Sequence, residues 1–420
     1  MYALADCNNF FVSCERVFRP DLEGKAVVVL SNNDGCAISR SNEAKKLGIR
    51  MGQPFFEFRD MVLDGKVTVF SSNFYLYGDM SKRVQATLSR FSPSLEVYSI
   101  DESFIDLTGV TDVDFDRWAK FLSAECRRCT GIPVSVGVAP TKTLAKIASK
   151  LCKQYPKTMG GCYMHRSEDV EKVLRRFPVE DIWGIGRRYS KRFRNYYGIN
   201  TAYDFVSKGE AWVAMEMGIT GVRTWKELKG IPSIGFEDEA PDRKQIMVSR
   251  SFSKDLSDLQ EISEQVSLFC SLAVDKLRKQ HSCCSSATVF AVSNRFRESV
   301  RQYTGSRLVT FNVATDSIIE INSAIMNALR DIFRDGIGYK RAGVILQDIV
   351  SADSVQQCLF DDVDRDKHYR LMQAVDTINR KNGKESIGVA SRSLDGIHMH
   401  REHLSPCYTT RLEDILTIKC

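Results

Sequence analysis

The sequence predicts an α+β protein of several domains, and three observations predict it. Strand-like runs alternate with helical ones up to about residue 165, with a candidate hairpin between them. Residues 166–235 read as helical, punctuated by Gly184, Gly186, Gly198 and Gly230. From 244 to 350 strands and helices alternate again, as a second compact α/β unit. A chain of 420 residues is also too long for one ordinary core, at roughly 100–200 residues per domain.

In chain order, YALA at 2–5 is strand-like, and AVVVL at 26–30 is a fully apolar strand bounded by Gly24 and Ser31. Between them FFVSCERVF has helical spacing and stops at Arg19-Pro20, where a proline ends the pattern. NEAKKLGI is a short helix closed by Gly48. Residues 74–91 are helix-compatible, and a strand pair follows around 95–107. A helix at about 115–129 leads into the strand PVSVGVA and the helix TKTLAKIASKLCK. SIGFEDEAPDR at 233–243 is acidic and carries Gly and Pro, as linkers do. The second unit offers the strands QIMVSR, ATVFAVS and AGVILQDI and the helices EQVSLFCSLAVDKLR and SIIEINSAIMNALRDIF. Residues 351–420 are polar and weakly patterned, and read as a tail.

Composition narrows the class. With 43% hydrophobic and 27% charged residues the chain folds rather than staying disordered. Its longest apolar runs fall far short of the ~20 residues that span a bilayer. Met1 leads directly into YALAD, without a basic leader, so a cytoplasmic location with no membrane contact is expected. A net charge of +6 permits nucleic-acid binding without arguing for it. Cys126-x-x-Cys129 has no second pair at zinc-ribbon spacing, and it reads, with Cys283 and Cys284, as ordinary reduced thiols. His398, His400 and His403 read as a solvated loop rather than a zinc site.

The chemistry concentrates in acids. VYSIDESF at 97–104 sets Asp101 and Glu102 side by side in an apolar run. Successive strand side chains face opposite ways, so one acid is turned toward the core, where an unpaired carboxylate is costly. A third acid, Asp6, ends the strand YALAD. Carboxylates that converge at the ends of neighbouring strands need a cation, and magnesium suits such oxygens. Spacing alone leaves other readings open: Asp6 as the cap of a helix starting near 8–10, and Asp101–Glu102 as an exposed hairpin turn.

Around these acids the chain resembles the Y-family translesion DNA polymerases. DCNNFFVSCE at 6–15 and YSIDES at 98–103 are similar to that family's two catalytic motifs. VVVLSNNDGCAISRS at 27–41, FSSNFYLYGDMS at 70–81, VGVAPTKTLAK at 136–146, IWGIGRR at 182–188 and VSRSF at 248–252 follow in the family's order. LSPCYTTR at 404–411 resembles the end of the family's UmuC branch. The resemblance implies a right-hand polymerase: a palm at 1–165 with fingers inserted at about 20–75, and a helical thumb at 166–235 carrying a helix-hairpin-helix loop. A linker at 236–243, an α/β little finger at 244–350 and a tail at 351–420 with a clamp-binding peptide complete it.

The activity so implied is template-directed, error-prone DNA synthesis across lesions in the SOS response. Two Mg2+ ions would be held by Asp6, Asp101, Glu102 and the backbone carbonyl of Cys7, so that Asp101 and Glu102 pair with metal and not with Lys or Arg. Phe11 aligns with the family's steric gate against a ribose 2′-hydroxyl, with Val12 in place of the usual alanine beside it. Phe10, Ser39, Lys45 and Lys146 align with nucleotide-binding positions; Lys45 stands where the family has arginine, and Asn42 where many members have tyrosine. Gly184 and Gly186 resemble the helix-hairpin-helix loop, followed by Arg187, Arg188, Lys191, Arg192 and Arg194 for DNA phosphates. Tyr189, Phe193 and Tyr196 are expected to pack inward, and Arg250, Arg295, Arg297, Arg301 and Arg307 to lie on strand edges gripping duplex. In QQCLF, Gln356, Leu359 and Phe360 are similar to a peptide that docks on the bacterial sliding clamp. Implied partners are primer-template DNA, dNTP, the clamp, a processed UmuD-like dimer and a RecA filament. Two competing readings are a DNA-binding scaffold with an idle centre that recruits the clamp, and a template-free nucleotidyl cyclase.

Overall fold

The computed structural model describes residues 1–92, 94–237, 241–297, 299–383, 386–392 and 400–417. The chain forms two compact units, residues 1–240 with 401–420, and residues 241–400.

The first unit is built on a five-stranded sheet in the order β5-β6-β1-β7-β8. Its strands are β1 (Tyr2–Cys7), β5 (Leu95–Val97), β6 (Glu102–Asp106), β7 (Val134–Ala139) and β8 (Gly161–Tyr163). Both faces are covered. Ala3, Ala5, Val134, Val136 and Val138 pack toward α1 (Phe10–Phe18), α4 (Phe74–Leu88) and α5 (Phe115–Thr130). Leu4, Phe104 and Ala139 pack toward α6 (Lys142–Gln154) and the helices that follow it. This double cover is why VSVGVA reads as a continuous apolar run and is buried at all six positions. Gly137 in that strand lets α6 approach closely: a Cβ there would lie 2.1 Å from the Ser149 nitrogen.

Inserted between α1 and α4 is a three-stranded sheet in the order β3-β2-β4, from β2 (Val27–Leu30), β3 (Ala37–Arg40) and β4 (Thr68–Ser71). With α2 (Asn42–Lys46) and α3 (Arg59–Leu63) it closes its own small core around Val28, Leu30, Ile49 and Phe58. Past β8 the chain is helical: α7 (Ser167–Leu174), α8 (Arg187–Tyr197), α9 (Ala202–Val206) and α10 (Glu210–Leu228). Gly184 holds φ +92, and Ile185 is buried between the two loop glycines. Phe193 is fully buried and Tyr189 half-buried, but Tyr196 is 80% exposed, against the inward packing expected of it.

The second unit is a four-stranded antiparallel sheet, order β11-β10-β12-β9, with helices packed against it. It runs β9 (Ile246–Leu256), α11 (Leu259–Lys279), β10 (Ser282–Ser293), β11 (Thr304–Thr315), α12 (Ile318–Ile332) and β12 (Tyr339–Ser351). Arg295, Arg297 and Arg301 lie in the loop between β10 and β11, not on strand edges, while Arg250 and Arg307 are on β9 and β11. The segment read as a tail is partly folded. α13 (Arg365–Asn382) buries Met372 and ties Asp376 to Arg278 at 2.6 Å, and residues 401–411 join the first unit. Among the described residues no helix is long and apolar enough to cross a membrane. Cys126 is buried and Cys129 exposed. His398 lies outside the described residues.

Candidate active site

The register of β1 against β6 sets Asp6 directly opposite Glu102, and the Cys7 amide donates to the Asp101 carbonyl at 2.8 Å. Asp101 occupies the turn between β5 and β6. The Ser99 hydroxyl fixes that turn, accepting from the amides of Asp101 and Glu102 and donating to Asp101 Oδ1 at 2.6 Å. The hairpin-turn reading is therefore correct for the backbone, but the acids are half-buried rather than solvated. The helix-cap reading of Asp6 is not: the N-cap position of α1 is Asn9, in left-handed conformation at φ 48 and without a capping side-chain hydrogen bond.

Asp6, Cys7, Asp101 and Glu102 line one cavity of about 240 Å³. Its other walls include Phe10 and Phe11 from α1, Ser39 and Arg40 from β3, Lys45 from α2, and Lys153. Of the expected nucleotide-binding residues, Phe10, Phe11, Ser39 and Lys45 meet here, whereas Lys146 does not line the cavity. Its ammonium lies 2.8 Å from Glu102 Oε2 and over the rings of Tyr98 and Trp183. Lys153 pairs with Asp6 at 2.6 Å. The expectation that Asp101 and Glu102 avoid Lys is thus corrected at Glu102, and Asp6 holds a lysine as well. Among the described residues no three acidic, His or Cys side chains are gathered tightly enough to hold a metal ion.

Burial raises the Asp6 carboxyl to about 6; Lys153 opposes the rise, and the nearby charges of Glu102 and Asp101 add to it. Three acids and two lysines thus gather at the end of one sheet, with Arg40 and Lys45 on the same cavity wall, so carboxylate oxygens that suit cations stand beside basic groups that suit phosphate. Lys153 and Arg40 escaped the sequence reading. Lys153 was findable, because Lys146, Lys150 and Lys153 repeat at i, i+4, i+7 on α6 and so share a face.

Phe11 is half-buried and stacks on Tyr77, ring centroids 4.6 Å apart at 16°. Ser39 Oγ accepts from the Val12 amide at 3.4 Å, and Lys45 donates to Asn9 Oδ1 at 2.6 Å. Gly186 caps α8, and Arg187, Arg188 and Lys191 are exposed on its first turns. Farther along, Arg192 and Arg194 are tied to Glu216 and Glu180. In the second unit Leu359 and Phe360 are 99% and 86% exposed.

The signature of the impB/mucB/samB family matches residues 5–150, that of its C-terminal domain residues 243–359, and that of a domain of unknown function residues 369–418. The chain is 40% identical to Protein UmuC of Salmonella typhimurium and 37% identical to Protein MucB of Escherichia coli, each alignment covering 100% of both chains. DNA polymerase IV of Caulobacter vibrioides is 26% identical over 93% of each chain. Among solved structures, a Y-family DNA polymerase chimera of Dbh and Dpo4 superposes with a TM-score of 0.67, at 24% identity over 83% of this chain and 99% of that one. The insertion ternary complex of Dbh DNA polymerase gives 0.55 at the same identity and coverage. These likenesses show that the chain has the α+β fold of a right-hand polymerase. A sheet ending in paired acids and relatedness to UmuC along the whole chain lead to one assignment: the protein belongs to the impB/mucB/samB family of Y-family DNA polymerases and is a DNA-directed, translesion-type polymerase.

Proposed function

We propose that this polymerase carries out error-prone synthesis across damaged template in the SOS response, adding dNTP to a primer 3′-hydroxyl by two-metal nucleotidyl transfer in the cytoplasm. The observation that carries the reading is the meeting of Asp6, Asp101 and Glu102 with Phe11, Ser39 and Lys45 around one open cavity. Asp6, Asp101, Glu102 and the Cys7 carbonyl would hold two Mg2+ ions. When bound, such a pair favours ionisation of the primer hydroxyl and neutralises charge on the phosphates. The donor set suits hard cations, being all oxygen.

The chain's own side chains supply the rest. Ser39 and Lys45 would hold the triphosphate, with Lys146 and Lys153 as point charges beside it rather than bidentate forks. Phe10 and Phe11 would bound the sugar, Phe11 rejecting a 2′-hydroxyl by bulk. In the thumb, Gly184, Gly186, Arg187, Arg188 and Lys191 would hold DNA phosphates irrespective of sequence. Exposure of Leu359 and Phe360 supports a clamp tether through Gln356, Leu359 and Phe360. A processed UmuD-like dimer and a RecA filament are the further partners that kinship with UmuC suggests. Asp101→Asn is expected to lower primer extension by roughly 100- to 1,000-fold while leaving primer-template affinity intact. Normal extension by that variant would remove the catalytic assignment and favour a scaffold.

A further inference from the structure

Beneath Phe11 lies a buried polar junction that the catalytic scheme does not use. Tyr77, on which Phe11 stacks, is fully buried and donates its hydroxyl to Glu15 Oε1 at 2.6 Å. Glu15 is itself 0% exposed, one helical turn beyond Phe11 on α1. The same Oε1 accepts a second hydrogen bond, at 3.0 Å, from the hydroxyl of Ser405. Ser405 lies 390 residues away in sequence, in the C-terminal stretch that matches a domain of unknown function.

That stretch is fastened at every step. The Ser71 amide donates to the His403 carbonyl at 2.9 Å, and the His403 amide to Ser71 Oγ at 3.0 Å. The Glu402 amide donates to Asp34 Oδ2. Asn73, the N-cap of α4, donates its side-chain amide to Ser405 O, Ser405 Oγ and Pro406 O. Asn73 Oδ1 meanwhile caps the Leu76 amide. Tyr408 stacks on Phe18 at the far end of α1, centroids 4.6 Å apart. The strap thus touches both α1 and α4, and none of its residues lines the cavity.

We propose that residues 402–408 are a positioning element for the nucleotide's sugar pocket, with Ser405 setting Tyr77 through Glu15 and Tyr77 in turn setting the Phe11 ring. This rests on the reading of Phe11 as the sugar gate. A ring that discriminates by shape must be held to a fraction of an ångström, and a rotatable phenylalanine on a helix's first turn does not hold itself. Glu15 supplies the fixed acceptor, and Ser405 and Tyr77 converge on one oxygen of it.

The test measures kcat and KM for single dNTP and rNTP additions by the full-length protein on primer-template DNA. Ser405→Ala and Tyr77→Phe are each expected to relax dNTP-over-rNTP preference by roughly 3- to 10-fold, mainly through KM. Ser405→Thr, which keeps the hydroxyl, is expected to retain the wild-type preference. Phe11→Ala is expected to lose most of the preference, and Ser405→Ala added to it to cause no further loss. If Phe11→Ala leaves preference unchanged, the gate reading falls and this inference with it. If Phe11→Ala relaxes preference while Ser405→Ala and Tyr77→Phe lower only kcat, the gate stands and the positioning role is overturned. Should Ser405→Ala prove insoluble, Tyr77→Phe decides alone, since it leaves the strap's own hydrogen bonds in place.

Discussion

Glu15 shows how one buried side chain carries a measurable signature. Burial raises its carboxyl to about 7, against the hydrogen bonds from Tyr77 and Ser405 and the charge of Arg19, which all favour the ionised form. Tyr77, Cys14, Arg19 and, in the strap, Tyr408 all feel the charge of its ionised form. Because the folded state holds this proton more tightly than the unfolded chain, the native protein binds more protons between the ordinary carboxylate range and about 7. Stability from this group is therefore full at low pH and lost as pH rises through that window, by an amount on the order of 3 kcal/mol. Glu15→Gln keeps an acceptor for Tyr77 and removes the titration. Chemical denaturation at pH 5 and pH 8 is expected to show the wild type losing stability relative to the variant as pH rises, and a constant difference between them would contradict the burial. Neither partner of Glu15 could be read from sequence, since Ser405 is hundreds of residues distant and only the folded chain brings it to α1. The acids of the active site were different. Their place at strand ends was legible, but the lysines on Asp6 and Glu102 were not expected, because the carboxylates were assigned wholly to metal.

At the scale of elements, α6 on β7 is the contact that aims Lys146, Lys150 and Lys153. The close approach depends on Gly137, where an added Cβ would meet Ser149 N at 2.1 Å and Ala145 O at 2.4 Å. These are backbone atoms, which have no rotamer to retreat into, so Gly137→Ala is expected to cost at least ~3 kcal/mol in urea unfolding. Gly78→Ala on α4 is the matched control: nothing lies within 4 Å of its Cβ, and helix propensity favours alanine by about 0.5–1 kcal/mol. Equal effects of the two variants would refute the close packing. Most elements were legible for a simple reason. Strands covered on both faces are continuous apolar runs, and helices such as α5 and α6 show one apolar stripe. β11 escaped because it is a sheet-edge strand, with only Gly305, Val313 and Thr315 buried, so its alternation is faint. α13 escaped because it buries only Met372 among its 18 residues.

For the whole molecule, the division into two units does not follow chain order. The chain leaves the first unit after residue 240 and returns to it at 401, so the second unit is an insertion in the first and not a terminal appendage. On the near side the anchor is a buried network. Lys142 Nζ, 1% exposed, donates to Gly235 O at 2.6 Å and pairs with Glu96. The Glu96 carboxylate also accepts from the Glu237 amide, and Glu227 from the amides of Ser233 and Ile234. On the far side the anchor is the strap of residues 402–408. Each unit has its own core, and such chains unfold in more than one step. Truncation after residue 400 removes the strap's hydrogen bonds to Ser71, Asn73 and Glu15 while touching nothing in the core around Val266, Phe269 and Ile325. It is expected to speed hydrogen exchange in residues 10–18 and 71–80 by roughly 10-fold or more and to leave α11 and β10 protected as in the full chain. Uniform loss of protection across both units would show that they fold as one cooperative body. Protection unchanged in residues 10–18 would show that the C-terminal strap contributes nothing to the α1–α4 crossing.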